Sequence, residues 1–150
     1  MDVKKILKQI GIAAYPMIAV YALNIFLDVG LDAYKYIPWL DSPLHIIGGT
    51  ATAWSIDRYW KRYTRAVIKT SSKYIDWFLV LSTVAIIALG WEIYEYIMKH
   101  IWPSIIQVTV FDTLKDMVLG LIGAFFYLYK VDFVLPKIKP KVKLKKIIKK

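Results

Sequence analysis

Four stretches of this chain, residues 10–31, 43–60, 75–98 and 113–135, are apolar over the length a bilayer demands, and each carries polar, mostly acidic residues near one end. A helical span needs about 20 mostly apolar residues to cross a hydrocarbon core of roughly 30 Å. Inside that core every backbone N–H and C=O must be satisfied within the protein, which a helix does by itself. The chain is 58% hydrophobic, above the roughly 45–50% of soluble domains. The pattern predicts an all-α fold, a polytopic transmembrane four-helix bundle running up-down-up-down. Residues 1–135 form the four-span domain and 136–150 a basic tail. None of the four stretches is a clean apolar run, which suits a bundle better than separate anchors. The first follows Lys4, Lys5 and Lys8 as a signal peptide would, but it is too long for one and lacks a clear cleavage site, so it reads as retained. The chain has no cysteine, which excludes disulfides, thiolate metal sites and a cysteine nucleophile.

Basic residues set the expected orientation. The loop between the second and third spans holds Lys61, Arg62, Arg65, Lys69 and Lys73, and the tail holds eight lysines. The opposite side has only Lys35, Lys99 and Lys115. The positive-inside rule then places both termini in the cytoplasm of a multi-pass plasma-membrane protein. A net charge of +10 could suggest nucleic acid. Its placement beside the spans instead fits anionic lipids of the cytoplasmic leaflet, with Arg62, Arg65, Lys69 and Lys73 as headgroup contacts. The sequence therefore predicts a bilayer partner and no nucleic acid.

Local signals refine the helices. Ser42-Pro43 reads as a helix start, with Ser42 able to cap, Asp41 ahead of the helix and His45 in its first turn. Asp112 or Thr113 reads as the cap of the fourth helix, and Pro103 marks the end of the third. Small residues occur at 48–53 (GGTATA) and at Gly120, Gly123 and Ala124. Small residues let helices approach closely in lipid, so spans two and four form the expected centre. Trp39, Trp91, Tyr94, Tyr96 and Trp102 read as an outer aromatic belt, and Trp60, Trp77 and Tyr129 as an inner one. Asp57, Asp76 and Asp132 are expected to pair with nearby basic residues.

The polar groups agree in depth. His45 is 13 residues from Arg58, about 20 Å along a helix. Asp116 is 14 residues from Lys130, about 21 Å. Glu92 from Asp76 and Asn24 from Lys8 are each 16 residues, about 24 Å. Asn24/Asp28, Asp41/His45, Glu92/Glu95 and Asp112/Asp116 should therefore meet in the outer third of the membrane. Ionisable groups inside spans are costly and are functional candidates by default. Clustered carboxylates repel one another, so a counter-charge is expected. A divalent metal ion of unspecified identity would supply it, with Asp41, His45, Glu92, Asp112 and Asp116 as ligands. Lys115 or Lys99 pairing with the acids is the competing solution. Asp28 and Asp32 otherwise read as loop or helix-end residues, and Asp112 as a cap.

The segments DSPLHIIGG (41–49), WEIYE (91–95) and FDTLKDMVLGLIGAFF (111–126) resemble the YjdF family of inner-membrane proteins and, more distantly, VanZ-like membrane proteins. The resemblance covers roughly residues 40–126 and carries over Asp41, His45, Glu92, Glu95, Asp112, Thr113 and Asp116. The VanZ pattern departs around Leu119, Gly120 and Glu95. The resemblance implies a polytopic membrane fold and supplies no activity.

Three readings of function stay open. In the first, the polar cluster fixes helix register or binds a partner without catalysis. In the second, the chain is a metal-dependent hydrolase acting on a lipid or lipid-linked headgroup, with Glu92, Glu95 and Asp116 as catalytic carboxylates. In the third, it is a small ion-binding or transport protein working as a homo-oligomer. The sequence lacks a Walker A loop, GxSxG, GxGxxG and HExxH, which argues against the common soluble enzyme classes.

Overall fold

The computed structural model describes residues 3–60, 72–101 and 109–135. All regular structure among them is helical. Four long helices carry the fold: α1 (Val3–Ile25), α3 (Asp41–Tyr59), α4 (Lys73–Ile101) and α5 (Val110–Tyr129). A short helix, α2 (Ala33–Tyr36), lies between α1 and α3. Wider, π-type turns extend α1 over Phe26–Gly30 and α5 over Lys130–Val134. Arg62, Arg65, Lys69, Trp102, Pro103 and the tail 136–150 lie outside the described residues.

Three segments are long and apolar enough to cross a membrane: Ile10–Gly30, Lys73–Met98 and Val110–Val134. The remaining long helix, α3, has the length of a span at 19 residues but a more polar composition. Its position accounts for this. Helix α3 packs against all three other long helices, most extensively α5. It therefore buries Gly48, Gly49, Thr52, Ser55 and Asp57, residues that would be poor choices against lipid.

Facing residues fix the directions of neighbouring helices. His45 faces Asp116, Gly49 meets Gly120, and Tyr127 Oη donates to Asp57 Oδ2 at 3.2 Å, so α3 and α5 run the same way. Helix α4 runs against them. Its first residues reach the far end of the other two, with Trp60 Nε1 donating to Asp76 Oδ1 at 2.8 Å and Trp77 Nε1 to Asp132 Oδ2 at 2.6 Å. Asp57, Asp76 and Asp132, expected to pair with basic residues, each have an indole or phenol donor among their contacts. The apolar core beside them consists of Ala53, Val80, Val84, Ala124 and Leu128, joined by Ile56, Trp77, Leu81, Leu121 and Tyr127.

Two helix starts differ from the sequence expectation. Helix α3 begins at Asp41, continuing directly from a 3₁₀ turn over Pro38–Leu40, and no side chain caps it. Pro38 pre-sets the backbone of that turn, so the chain enters helical geometry before Ser42 can act as a cap. Helix α5 is capped by Thr109, whose Oγ1 accepts from Asp112 N at 3.1 Å. The cap lies three residues before Asp112, which leaves the Asp112 carboxylate free for another partner.

Candidate polar centre at one end of the helices

The first turns of α3 and α5 and the last turns of α4 bring the predicted residues together. Asp41 and His45 are one turn apart on α3, and His45 Nε2 lies 3.2 Å from Asp41 Oδ1 and 3.9 Å from Asp116 Oδ2. Neither approach gives the buried His45 Nε2 a hydrogen bond, and Asp116 Oδ1, also buried without one, has the Lys115 ammonium 3.3 Å away. The His45 side chain is 9% exposed and that of Asp116 3%. Buried polar atoms of this kind are rare and call for an explanation.

Helix α4 adds two carboxylates. Glu92 is buried. Glu95 is partly buried, and its Oε1 accepts from Trp91 Nε1 at 2.6 Å. Ligand atoms of Asp41, His45 and Asp116 lie within 4.8 Å of one another, as do those of His45, Glu92 and Glu95. His45 belongs to both sets. Three helices, α3, α4 and α5, thus converge on one imidazole.

Lys115 supplies the local positive charge. Its Nζ lies 2.6 Å from Asp112 Oδ1, 3.3 Å from Asp116 Oδ1 and 4.0 Å from Asp41 Oδ2. Asp112, a candidate ligand by sequence, is thereby the lysine's closest partner and stands outside both three-residue sets. The Lys99 side chain lies outside the described residues. Thr113 sits in the first turn of α5, where its backbone N–H bonds to Thr109 O at 3.0 Å.

The first helix contributes differently from the expectation. Asn24 is buried and accepts a hydrogen bond from Tyr34 of α2. Tyr34 is 4% exposed and close enough to Asp41, Glu95 and Asp28 to feel their charges. Burial raises the Tyr34 phenol above its ordinary range, and those three carboxylates push the same way, so it remains the donor to Asn24. Asp28 lies near Asp32 and Asp41 without joining the His45 sets. Asp32 is exposed and takes the left-handed conformation with φ 48°.

A cavity of about 20 Å³ opens beside His45, lined by Tyr21 and Asn24 of α1, Gly48 and Gly49 of α3, Trp91 of α4 and Gly120 of α5. That volume holds about one water molecule. Tyr21 also packs against Trp91 with ring centroids 4.8 Å apart and planes tilted by 33°, and its hydroxyl lies 3.4 Å from Thr52 Oγ1. Trp91 is thus an inward-facing residue and not solely part of a belt, whereas Trp39 and Tyr96 are exposed.

Sequence reasoning missed Tyr34, Tyr21 and the inward role of Trp91. The available signals were the buried-polar demand of Asn24, which needs a partner, and the i,i+4 spacing of Trp91 and Glu95.

Residues 8–136 match the family described as predicted membrane protein (DUF2238). The chain belongs to this family. It is the YjdF-type family whose motifs lie at 41–49, 91–95 and 111–126, so the matched region contains every residue of the polar centre. No curated protein and no solved structure matches this DUF2238 member.

Proposed function

We propose that this DUF2238 protein is a four-span membrane protein that binds a divalent cation at the His45 centre, near the extracytoplasmic face. In this reading the helices run up-down-up-down with both termini cytoplasmic. The single observation that carries the proposal is the buried Nε2 of His45, without a completed hydrogen bond though Asp41 Oδ1 is 3.2 Å away, and shared by two sets of carboxylates from three helices. Asp41, His45, Asp116, Glu92 and Glu95 are the candidate ligands. One imidazole among carboxylate oxygens suits a borderline or hard ion such as Mn²⁺, Fe²⁺ or Zn²⁺. A bound ion would relieve the carboxylate repulsion and join α3, α4 and α5.

Elemental analysis of protein purified in detergent tests this. Near-stoichiometric divalent metal in the wild type, lost in His45→Ala, is the expected result. Metal-free protein whose thermal stability is indifferent to strong chelator and to added Mn²⁺ would refute it.

One observation favours a second reading. Lys115 already bridges Asp112, Asp116 and Asp41, so the cluster can serve as a metal-free network that fixes helix register. That reading expects Asp116→Asn to assemble poorly while no metal is ever found. The cavity beside His45 is of water size, so it lends no support to a lipid-headgroup substrate, and turnover is not part of the proposal.

A further inference from the structure

Lys115 and the His45 set share two carboxylates through different oxygens: His45 faces Asp41 Oδ1 and Asp116 Oδ2, and Lys115 faces Asp41 Oδ2 and Asp116 Oδ1. Asp41 and Asp116 belong to the set around His45, and Lys115 Nζ lies 3.3 Å from Asp116 Oδ1 and 4.0 Å from Asp41 Oδ2. An ion held beside His45 by those two carboxylates would sit about 2 Å from the oxygen of each that faces the imidazole. It would then lie within a few ångströms of the ammonium, where like charges repel strongly in a site with little water. The lysine has somewhere to go. Its side chain is 35% exposed, and Asp112, at 2.6 Å, is an anchor outside both ligand sets. The flexible four-carbon stem allows the ammonium to swing outward. His45, by contrast, is 9% exposed and has no such freedom.

We propose that Lys115 is a built-in competitor for the cation at this centre, its ammonium pairing with Asp116 Oδ1 and Asp41 Oδ2 when the ion is absent and leaving when a second positive charge binds the same two carboxylates. This rests on the cation-binding reading above and adds its regulation: the ion at this centre exchanges and is not a permanent structural part. Lys115 is a positioning residue, since it acts through Asp41 and Asp116 without touching the ion.

The experiment uses full-length protein in detergent and Mn²⁺ alone as the probe, with binding followed by electron paramagnetic resonance. Lys115→Gln should bind Mn²⁺ about tenfold tighter or more, and Lys115→Arg, which keeps the charge, should stay near wild type. In the wild type, added Mn²⁺ should speed acylation of Lys115 by a water-soluble amine reagent, read by peptide mass spectrometry, and His45→Ala should abolish that acceleration. Wild-type binding with equal or weaker affinity in Lys115→Gln would overturn the competitor role and leave cation binding standing. So would Mn²⁺ binding that leaves Lys115 labelling unchanged. Failure of the wild type and Lys115→Gln alike to bind Mn²⁺ would overturn both proposals together.

Discussion

Gly49 of α3 and Gly120 of α5 meet backbone to backbone, so closely that a methyl group on Gly49 would run into the Gly120 carbonyl. Gly123 makes the matching approach to the carbonyl of Ile46 and the hydroxyl of Thr50. Lipid tails are as apolar as the side chains, so helix association in a membrane depends on this kind of close fit. It also sets the separation of α3 and α5 at which His45 and Asp116 face one another.

The glycines divide into two classes with opposite expected behaviour. Gly49→Ala and Gly123→Ala should destabilise the protein by about 1–3 kcal/mol through overpacking. A Cβ on Gly48 or Gly120 would meet nothing closer than 3.8 Å. Alanine at either should therefore be neutral or stabilise by up to about 1 kcal/mol from helix propensity. Thermal or denaturant unfolding of the four variants in one detergent checks this, and four equal effects would disprove the division.

His45 and Asp116 should be energetically coupled. Removing the imidazole leaves Asp116 with Lys115 as its remaining charge partner, and replacing Asp116 by Asn weakens both neighbours. Each single change, His45→Ala or Asp116→Asn, should cost about 1–3 kcal/mol. The double variant should fall short of their sum by about 0.5 kcal/mol or more. Strict additivity would mean that the two groups are adjacent without interacting.

Much of this arrangement was legible in the sequence, and the limits have physical causes. The depth of His45, Glu92 and Asp116 follows from helical rise alone, so their meeting could be anticipated without knowing any contact. The close packing of α3 against α5 followed from the small residues of both. The capping of α5 by Thr109 did not, because a threonine within an apolar connector competes with Asp112 and Thr113 as a cap and spacing alone does not rank them. Tyr34 was invisible for another reason. It sits on a four-residue helix, too short to show periodicity, and its partner Asn24 lies ten residues away across a turn. Asp112 carried a motif position, yet its partner is Lys115, a choice that only side-chain distances decide.

The Tyr34–Asn24 bond offers a separate test of how α2 is held. Tyr34→Phe keeps the ring and leaves the buried Asn24 carbonyl without its donor, at an expected cost of about 1–3 kcal/mol. Asn24→Leu in the same background should recover part of that loss, because an unpaired polar group is then removed. Proteolysis near Asp32, where the backbone is left-handed and exposed, should speed up in Tyr34→Phe and slow again in the double variant. An unchanged cleavage rate would show that α2 is held by other contacts.

Membrane orientation decides which compartment would supply the proposed cation, and the absence of cysteine from the chain makes orientation directly measurable. A single introduced cysteine is then the only thiol. Val110 opens α5 at the end that carries the polar centre and is 79% exposed, while Tyr74, the second residue of α4, lies at the opposite end and is 74% exposed. The lysines and arginines of 61–73 adjoin Tyr74, so the positive-inside rule puts that end in the cytoplasm. In intact spheroplasts a membrane-impermeant maleimide should label Val110→Cys, and Tyr74→Cys should react only after permeabilisation. The reverse pattern would turn the molecule over and present His45, Glu92 and Asp116 to cytoplasmic ions. The geometry of the centre would survive that result, but its cation would have to come from the cytoplasmic pool, where Lys115 would compete against intracellular ion levels.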